Sequence, residues 1–253
     1  MNNSSQKSKN NIAENLPLSI NNISKEFAKV KVLDDISFEV NKGEVFGLIG
    51  LNGAGKTTLI KIILGLLKQE SGDVSIFGNS VKKTSTRNLI SFLPEKFQPS
   101  IYLKGKEFLS LTLSYYKKKY DHAQAETLVD KLDLRKSALK QKMTKYSKGM
   151  GQKIGLASGF LTEAPLLILD EPMSGLDPSA RIRLKDTIQE YVKSGDKAIF
   201  FSSHILSDID EVCDKIAVIH NSKLVFTGTP SDFKKKYKLD NLERAFLKSI
   251  EVE

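Results

Sequence analysis

Between residues 50 and 58 the chain reads Gly50-Leu51-Asn52-Gly53-Ala54-Gly55-Lys56-Thr57-Thr58. An apolar, strand-like run, Val45-Phe46-Gly47-Leu48-Ile49, precedes it, and a helix-like run, Leu59-Ile60-Lys61-Ile62-Ile63-Leu64, follows. Strand, GxxxxGK[ST] and helix in that order form a phosphate cradle. Glycines let the backbone curl so that successive N–H groups point inward, and the helix behind them adds its positive dipole end. In such a loop Lys56 reaches the β- and γ-phosphates and the Thr57 hydroxyl ligates Mg²⁺. The expectation is a nucleoside triphosphate site.

A second chemical group lies far along the chain. Leu166-Leu167-Ile168-Leu169 is an all-apolar strand that ends in Asp170-Glu171. Asp170 suits the Mg²⁺-side carboxylate of a P-loop NTPase, and Glu171 suits activation of an attacking water. Taken alone, the pair also reads as a helix N-cap with an acidic first turn. His204 follows another apolar run, Ala198–Ser202; in isolation a structural role is the simpler reading.

These residues must be gathered by the elements around them. Short β segments are expected at Leu18–Ile20, Val32–Leu33, Ile36–Val40, Val45–Ile49, Val74–Phe77 and Leu89–Leu93, with turn signals between the first of them. From Leu103 to Met143 the texture is amphipathic helix, with Phe108, Leu111, Tyr115 and Tyr116, then Ala123, Leu128 and Leu132, expected as core contacts. Alternation returns with a strand at 166–169, a helix at 180–192, a strand at 198–202, a helix at 206–212 and a strand at 216–219. That pattern predicts an α/β fold with a mainly parallel sheet, and ligand beyond the carboxyl ends of its strands. The P-loop, Asp170 and His204 all follow strands and are expected to meet at one edge.

Composition narrows the function classes. The 253 residues allow a sizeable core. No apolar stretch is long enough to cross a bilayer, and the polar segment over residues 1–15 lacks the apolar core of a signal peptide. A disordered tail on a cytoplasmic protein is expected. Cys213 is the only cysteine, which excludes an intrachain disulfide and a cysteine zinc cluster; a buried structural thiol is expected. The 39 Lys+Arg against 30 Asp+Glu give a net charge of +9, which raises nucleic acid or anionic lipid as partners. No aromatic-interleaved basic module accompanies the lysines, which favours a solvated surface.

Three further segments carry a family resemblance. Pro172-Met173-Ser174-Gly175-Leu176-Asp177 resembles the D-loop of ABC-type ATPases, and Tyr146-Ser147-Lys148-Gly149-Met150-Gly151-Gln152-Lys153 is similar to that family's LSGGQ signature. His204, in Ser202-Ser203-His204, matches the family's switch histidine. The order of P-loop, helical insert, signature, carboxylate strand, D-loop and histidine resembles ABC ATPases over about residues 17–228. The resemblance implies a P-loop NTPase core with an N-terminal antiparallel β subdomain and a helical insert subdomain. Residues 16–228 would be the ATPase domain, divided at 16–95, 96–160 and 161–228, with a helical tail over 229–253.

It also implies a mechanism that needs two chains. ATP with Mg²⁺ would lie between the P-loop of one copy and the signature of the other, with Ser147 and Gly149 meeting the γ-phosphate and Asp177 at the interface. Phe27 aligns with the aromatic that stacks on adenine; its alternative is an ordinary core phenylalanine. Glu95 stands where a glutamine is usual, and a carboxylate can approach Mg²⁺ or water but cannot donate an amide hydrogen bond. Lys148 and Met150 depart from the signature, and Leu51 from a common proline; Ser147 and Gly149 are kept. Leu-Pro-Glu and YSKGM resemble relatives whose ATPase is a separate transporter subunit. A separate polytopic permease is therefore an implied partner, received by Glu95–Leu111 through Phe97, Ile101, Tyr102 and Leu103. The implied role is the ATP-hydrolysing subunit of an ABC transporter of exporter type, homodimeric and peripheral on the cytoplasmic face of the membrane. The alternative is a soluble ABC ATPase acting on nucleic acid or ribosomes, although no long coiled-coil insert of the kind usual there is present and no nucleic acid is expected as a partner.

Overall fold

Strands β3 (Val45–Ile49), β7 (Leu166–Asp170) and β8 (Ala198–Ser203) are buried at every residue, as parallel strands between two covering layers must be. The computed structural model describes residues 16–98 and 100–251, so the tail expected over 1–15 lies outside the described residues. With β6 (Ile90–Leu93), β9 (Lys215–His220) and β10 (Lys223–Gly228), these strands form a six-stranded sheet in the order β10-β9-β3-β8-β7-β6. All neighbours pair in parallel except β10, which returns antiparallel along β9. The sequence reading assigns no strand over 223–228. β10 is an edge strand of mainly half-buried residues, so it carries no apolar run to betray it.

The two-residue period of the strands sorts their side chains between two cores. Phe46, Leu48, Leu166, Ile168, Ala198 and Phe200 face one core; Val45, Ile49, Leu167, Leu169, Ile199 and Phe201 face the other. The first core is closed by a four-stranded antiparallel sheet, β2-β1-β4-β5, made of β1 (Leu18–Phe27), β2 (Val30–Val40), β4 (Ser71–Ile76) and β5 (Asn79–Ser80). Helix α1 (Lys56–Ile63) contributes Leu59, Ile60, Ile62 and Ile63 to it, all fully buried. Phe38 of β2 stacks on Phe46 at 5.0 Å and on Phe200 at 6.0 Å, joining the two sheets. Each such ring pair contributes roughly 0.5–1.5 kcal/mol beyond its buried area.

The second core holds the helical insert and the remaining helices. The insert runs through α2 (Gly105–Tyr115), α3 (His122–Lys131), two 3₁₀ turns at Lys136–Lys140 and Met143–Lys145, and α4 (Lys148–Leu161). Asp121 caps α3 by accepting from the Gln124 N–H at 3.0 Å, and Ser147 caps α4 by accepting from the Met150 N–H at 3.2 Å. Five residues of the insert lie on the side opposite to the one that periodicity or resemblance predicts. Leu111 and Tyr115 are 46% and 73% exposed, and Leu109 and Leu113 are the buried leucines of α2. On α3 Ala123 is exposed, and Ala125 and Val129 are buried. The helix period admits two adjoining stripes, and only packing decides between them. Of the expected docking residues, Ile101 and Tyr102 point outward, but Phe97 and Leu103 pack inward. The Phe97 ring lies 5.6 Å from that of Phe108 and fills the space a Cβ on Gly155 would take, 2.7 Å from it.

Helices α5 (Pro178–Val192), α6 (Leu206–Val212), α7 (Pro230–Tyr237) and α8 (Leu242–Glu251) complete this layer. Close approach of α6 to β3 depends on Gly47, where a Cβ would stand 2.7 Å from Cys213 Sγ and 2.9 Å from Ile209 Cδ1. Cys213 is buried, and burial raises its thiol pKa well above the usual value. Replacing Gly47 by Ala is expected to destabilise the fold by about 1–3 kcal/mol, the usual cost of overpacking. Thermal unfolding checks this, and Cys213→Ala in the same chain is expected to restore part of the loss.

Candidate active site

The loop from Gly50 to Gly55 takes its shape from close backbone approach. Gly53 and Gly55 have φ of 87° and 98°, in the left-handed region that side chains disfavour. A Cβ on Gly55 would also stand 2.8 Å from the Val32 carbonyl oxygen, and one on Gly50 2.8 Å from that of Ile219. Gly55 is the N-cap of α1, so the free N–H groups of the helix start open into the loop. Lys56 is buried, and its ammonium donates to the carbonyl oxygens of Gly50 at 2.7 Å and Leu51 at 3.3 Å. Burial lowers its pKa, and Glu171, Asp170 and Glu95 act in the opposite sense.

Asp170 continues the phase of Leu166 and Ile168, so it faces the side of the sheet that carries α1. It pairs in register with Ser202 on β8, whose hydroxyl donates to Asp170 Oδ1 at 2.6 Å. Thr57 Oγ1 on α1 donates to Asp170 Oδ2 at 3.4 Å. Glu171 leaves the strand in the left-handed region, with φ of 52°, a conformation that costs a non-glycine residue about 1–3 kcal/mol and persists only under constraint. The Ser202 carbonyl and hydroxyl oxygens supply that constraint, each accepting from the Glu171 N–H at 3.2 Å. The turn aims Glu171 at His204: Glu171 Oε2 lies 2.7 Å from His204 Nδ1 and accepts the His204 backbone N–H at 3.3 Å.

Burial raises the pKa of both carboxylates. For Asp170 the Ser202 hydroxyl opposes the rise, and for Glu171 the charge and hydrogen bonds of His204 oppose it. Asn52, Gly53, Gly55, Lys56, Thr57 and Thr58 of the P-loop, with Glu95, Asp170, Glu171 and His204, line a single cavity of about 320 Å³, whereas Gly50, Leu51 and Ala54 do not face it. Thr57, Asp170 and Glu95 present the hard oxygen donors that Mg²⁺ takes, and Asp170 already lies within hydrogen-bond reach of Thr57. The donor set fits that ion.

The structure does not gather every candidate residue there. Phe27 ends β1 at the tip of the β1–β2 hairpin, half exposed and outside the cavity lining, with Lys25 Nζ 4.9 Å from its ring centroid. Leu51 is an exposed residue of the loop. Ser147, Gly149 and Asp177 lie at the starts of α4 and α5, outside the cavity, where a Cβ on Gly149 would stand 3.4 Å from the Gly175 carbonyl. Two residues escaped the sequence reading: Ser202, which holds both carboxylate residues, and Val32, which lines the cavity. The Ser202-Ser203 pair before His204 was the only signal for the first; the second has none.

Residues 33–174 match the family described as ABC transporter. The chain belongs to the ABC transporter ATP-binding family. It is 38% identical over 204 residues to an ABC transporter ATP-binding protein of Synechocystis sp., an alignment covering 79% of this chain and 57% of that relative. The bacitracin transport ATP-binding protein BcrA of Bacillus licheniformis is 35% identical over 226 residues, covering 87% of this chain and 72% of BcrA. A solved ATP-binding subunit of an ABC transporter superposes with a TM-score of 0.84 at 32% identity, covering 92% of this chain and 98% of that one. The chain therefore spans only 57% and 61% of the length of two cyanobacterial relatives it matches. The ABC family match includes the P-loop, Glu95, the signature segment, Asp170 and Glu171; Phe27, Asp177 and His204 fall outside it.

The raised pKa of Glu171 has a stability consequence. A carboxyl whose folded pKa exceeds its unfolded value favours the fold below the usual carboxylate range, and that contribution is lost as pH rises through the raised value. Glu171→Gln is therefore expected to raise the melting temperature of the nucleotide-free protein at neutral pH by about 2–4 °C per kcal/mol relieved. The difference from the parent chain is expected to close as pH falls to 4, and a pH series of thermal melts reads it.

Proposed function

We propose that this chain is the ATP-hydrolysing subunit of an ABC transporter, acting as an ATP-sandwiched homodimer on a separate membrane permease of exporter type. The supporting observation is the convergence of Lys56, Thr57, Asp170, Glu171 and His204 on one cavity at the carboxyl ends of the parallel strands. The N–H groups of the P-loop and the Lys56 ammonium bind the phosphate oxygens. Thr57, Asp170 and Glu95 would hold Mg²⁺, which would supply positive charge to offset that of the phosphates. Glu171 takes the proton of the water that attacks the γ-phosphorus, leaving ADP and phosphate. His204 donates from Nδ1 to the ionised Glu171 and keeps its carboxylate aimed into the cavity.

The dimer reading rests on what lies outside the cavity. Ser147 and Gly149 open the N-terminal end of α4 to solvent, a surface suited to a phosphate brought by a second copy. Phe27 stands ready at the hairpin tip as the adenine platform, and Asp177 lies where two copies would meet. Residues 16–95, 96–160 and 161–228 act as β-rich, helical and core parts of one ATPase domain, followed by the α7–α8 tail. No helix among the described residues is long and apolar enough to cross a membrane, so transport in this reading needs a permease chain. Exposed Ile101 and Tyr102, with Leu111 and Tyr115 on α2, form its docking face, placing the subunit on the cytoplasmic side of the membrane. Two relatives are named for bacitracin transport and linearmycin resistance, which supports export.

Glu171→Gln is expected to slow ATP hydrolysis by about 10²–10⁴-fold, the range for loss of a general base, and to accumulate as a dimer with ATP and Mg²⁺ on size-exclusion chromatography. A variant that remains monomeric at all nucleotide concentrations sinks the dimer reading. Full activity in the variant removes Glu171 from the chemistry. Purification of the tagged chain from detergent-solubilised membranes is expected to recover a polytopic partner; recovery of ribosomal proteins instead would favour the nucleic-acid reading.

A further inference from the structure

Ion pairs with strongly buried members converge on the start of α5, and the chemistry above uses none of them. Lys153 lies on α4, a turn and a half beyond Ser147, and is only 8% exposed, unusual for a lysine. Its ammonium donates to the Asp133 carbonyl oxygen at 2.9 Å and carboxylate at 3.0 Å, in the loop after α3, and lies 3.5 Å from Asp177 Oδ2. Asp177 caps α5, accepting from the Ala180 N–H at 3.0 Å. One turn on, the Arg181 N–H donates to the Asp177 carbonyl at 3.0 Å, and the Arg181 guanidinium pairs with Asp208 at 2.5 Å. Asp208 is 1% exposed and also pairs with Lys185 at 3.1 Å. It sits on α6, one turn after His204.

We infer that Lys153, Asp177, Arg181 and Asp208 form a charge linkage that ties the helical insert to His204 and so sets the aim of His204 at Glu171. The inference rests on the proposed pairing of these two residues in ATP hydrolysis. Its physical basis is the cost of parting a buried charge, Lys153 at one end and Asp208 at the other, from partners that are themselves partly exposed. An insert that moves carries Lys153 and Asp133 away from Asp177 unless α5 follows, and a buried charge that loses one of its two carboxylates is disfavoured. The α5 helix is a stiff element, so movement at Asp177 arrives at Arg181, and through Asp208 at the helix that begins behind His204. All four are positioning residues. A second pair, Lys131 with Glu190, also joins the insert to α5, but at the far end of the helix and in solvent, where such pairs hold little.

The chain has three histidines, so the ring of His204 is readily followed by NMR apart from His122 and His220. In the nucleotide-free protein Lys153→Met is expected to move the His204 ring resonance and leave the other two in place. Lys153→Arg restores the original position, and Lys131→Met changes nothing. Asp208→Asn moves the same resonance, and adding Lys153→Met to it has no further effect, as residues on one path should behave. In ATPase assays Lys153→Met lowers kcat about tenfold at unchanged KM. If Lys153→Met does not fold, Asp177→Asn keeps the cap oxygen, removes the charge facing Lys153, and is read the same way. An unmoved His204 resonance, or an equal shift in Lys131→Met, overturns the linkage. A parent chain that binds but does not hydrolyse ATP overturns the ATPase reading instead, and the resonance still reports on the linkage.

Discussion

Two acidic side chains at the end of a strand covered on both faces must stay within reach of water and counter-charge while their strand does not. Much of the site can be understood as a response to that demand. Asp170 is held by the hydroxyls of Ser202 and Thr57, one from the adjacent strand and one from the P-loop helix. Glu171 escapes the sheet by turning into a left-handed conformation, fastened by the same Ser202 and met by His204. Lys56 lies opposite, itself buried, and its pKa is lowered by that burial despite the nearby acids. The site thus sets a buried ammonium and free helix-start N–H groups beside buried carboxylates, and a polyanion with a divalent ion is a ligand that balances such a set.

The insert is connected to this site by two different kinds of contact. One is steric: Phe97, two residues after Glu95, occupies the notch left by Gly155 on α4, so the Glu95 loop and the signature helix cannot move independently over short distances. The other is electrostatic and runs along α5. Steric contacts transmit pushing and ion pairs transmit pulling, and the chain has both between the outward-facing residues of the insert and the carboxylates.

How much of this the sequence discloses follows from how local each feature is. The P-loop was legible because its glycines, lysine and threonine act within one turn of backbone and carry their own strand and helix. The apolar strand before Asp170 was legible because two-sided burial leaves a run of Leu and Ile. The order of segments pointed to the ABC family, which the relatives establish. What stayed hidden depends on partners distant in the chain. Ser202 reads as an ordinary strand residue until register sets it beside Asp170. Leu111 and Leu113 are alike in composition, and only the contact of α2 with its neighbours exposes one and buries the other. Lys153 reads as one more lysine of a lysine-rich segment, and its burial depends on Asp133 and Asp177, which are distant in the chain.

The strand order also dictates a schedule. β3, which carries the P-loop, has β8 and β9 as its sheet neighbours, and these follow roughly 150 residues later in the chain, about 7–30 s later at ordinary rates of synthesis. During that interval a fully apolar strand has no edge to join. The β1–β2 hairpin, made earlier, brings Phe38, and the ring of Phe46 can stack against it long before Phe200 exists. The antiparallel sheet is thus placed in the chain where it can shelter the phosphate-binding strand until the residues that will share its work have emerged.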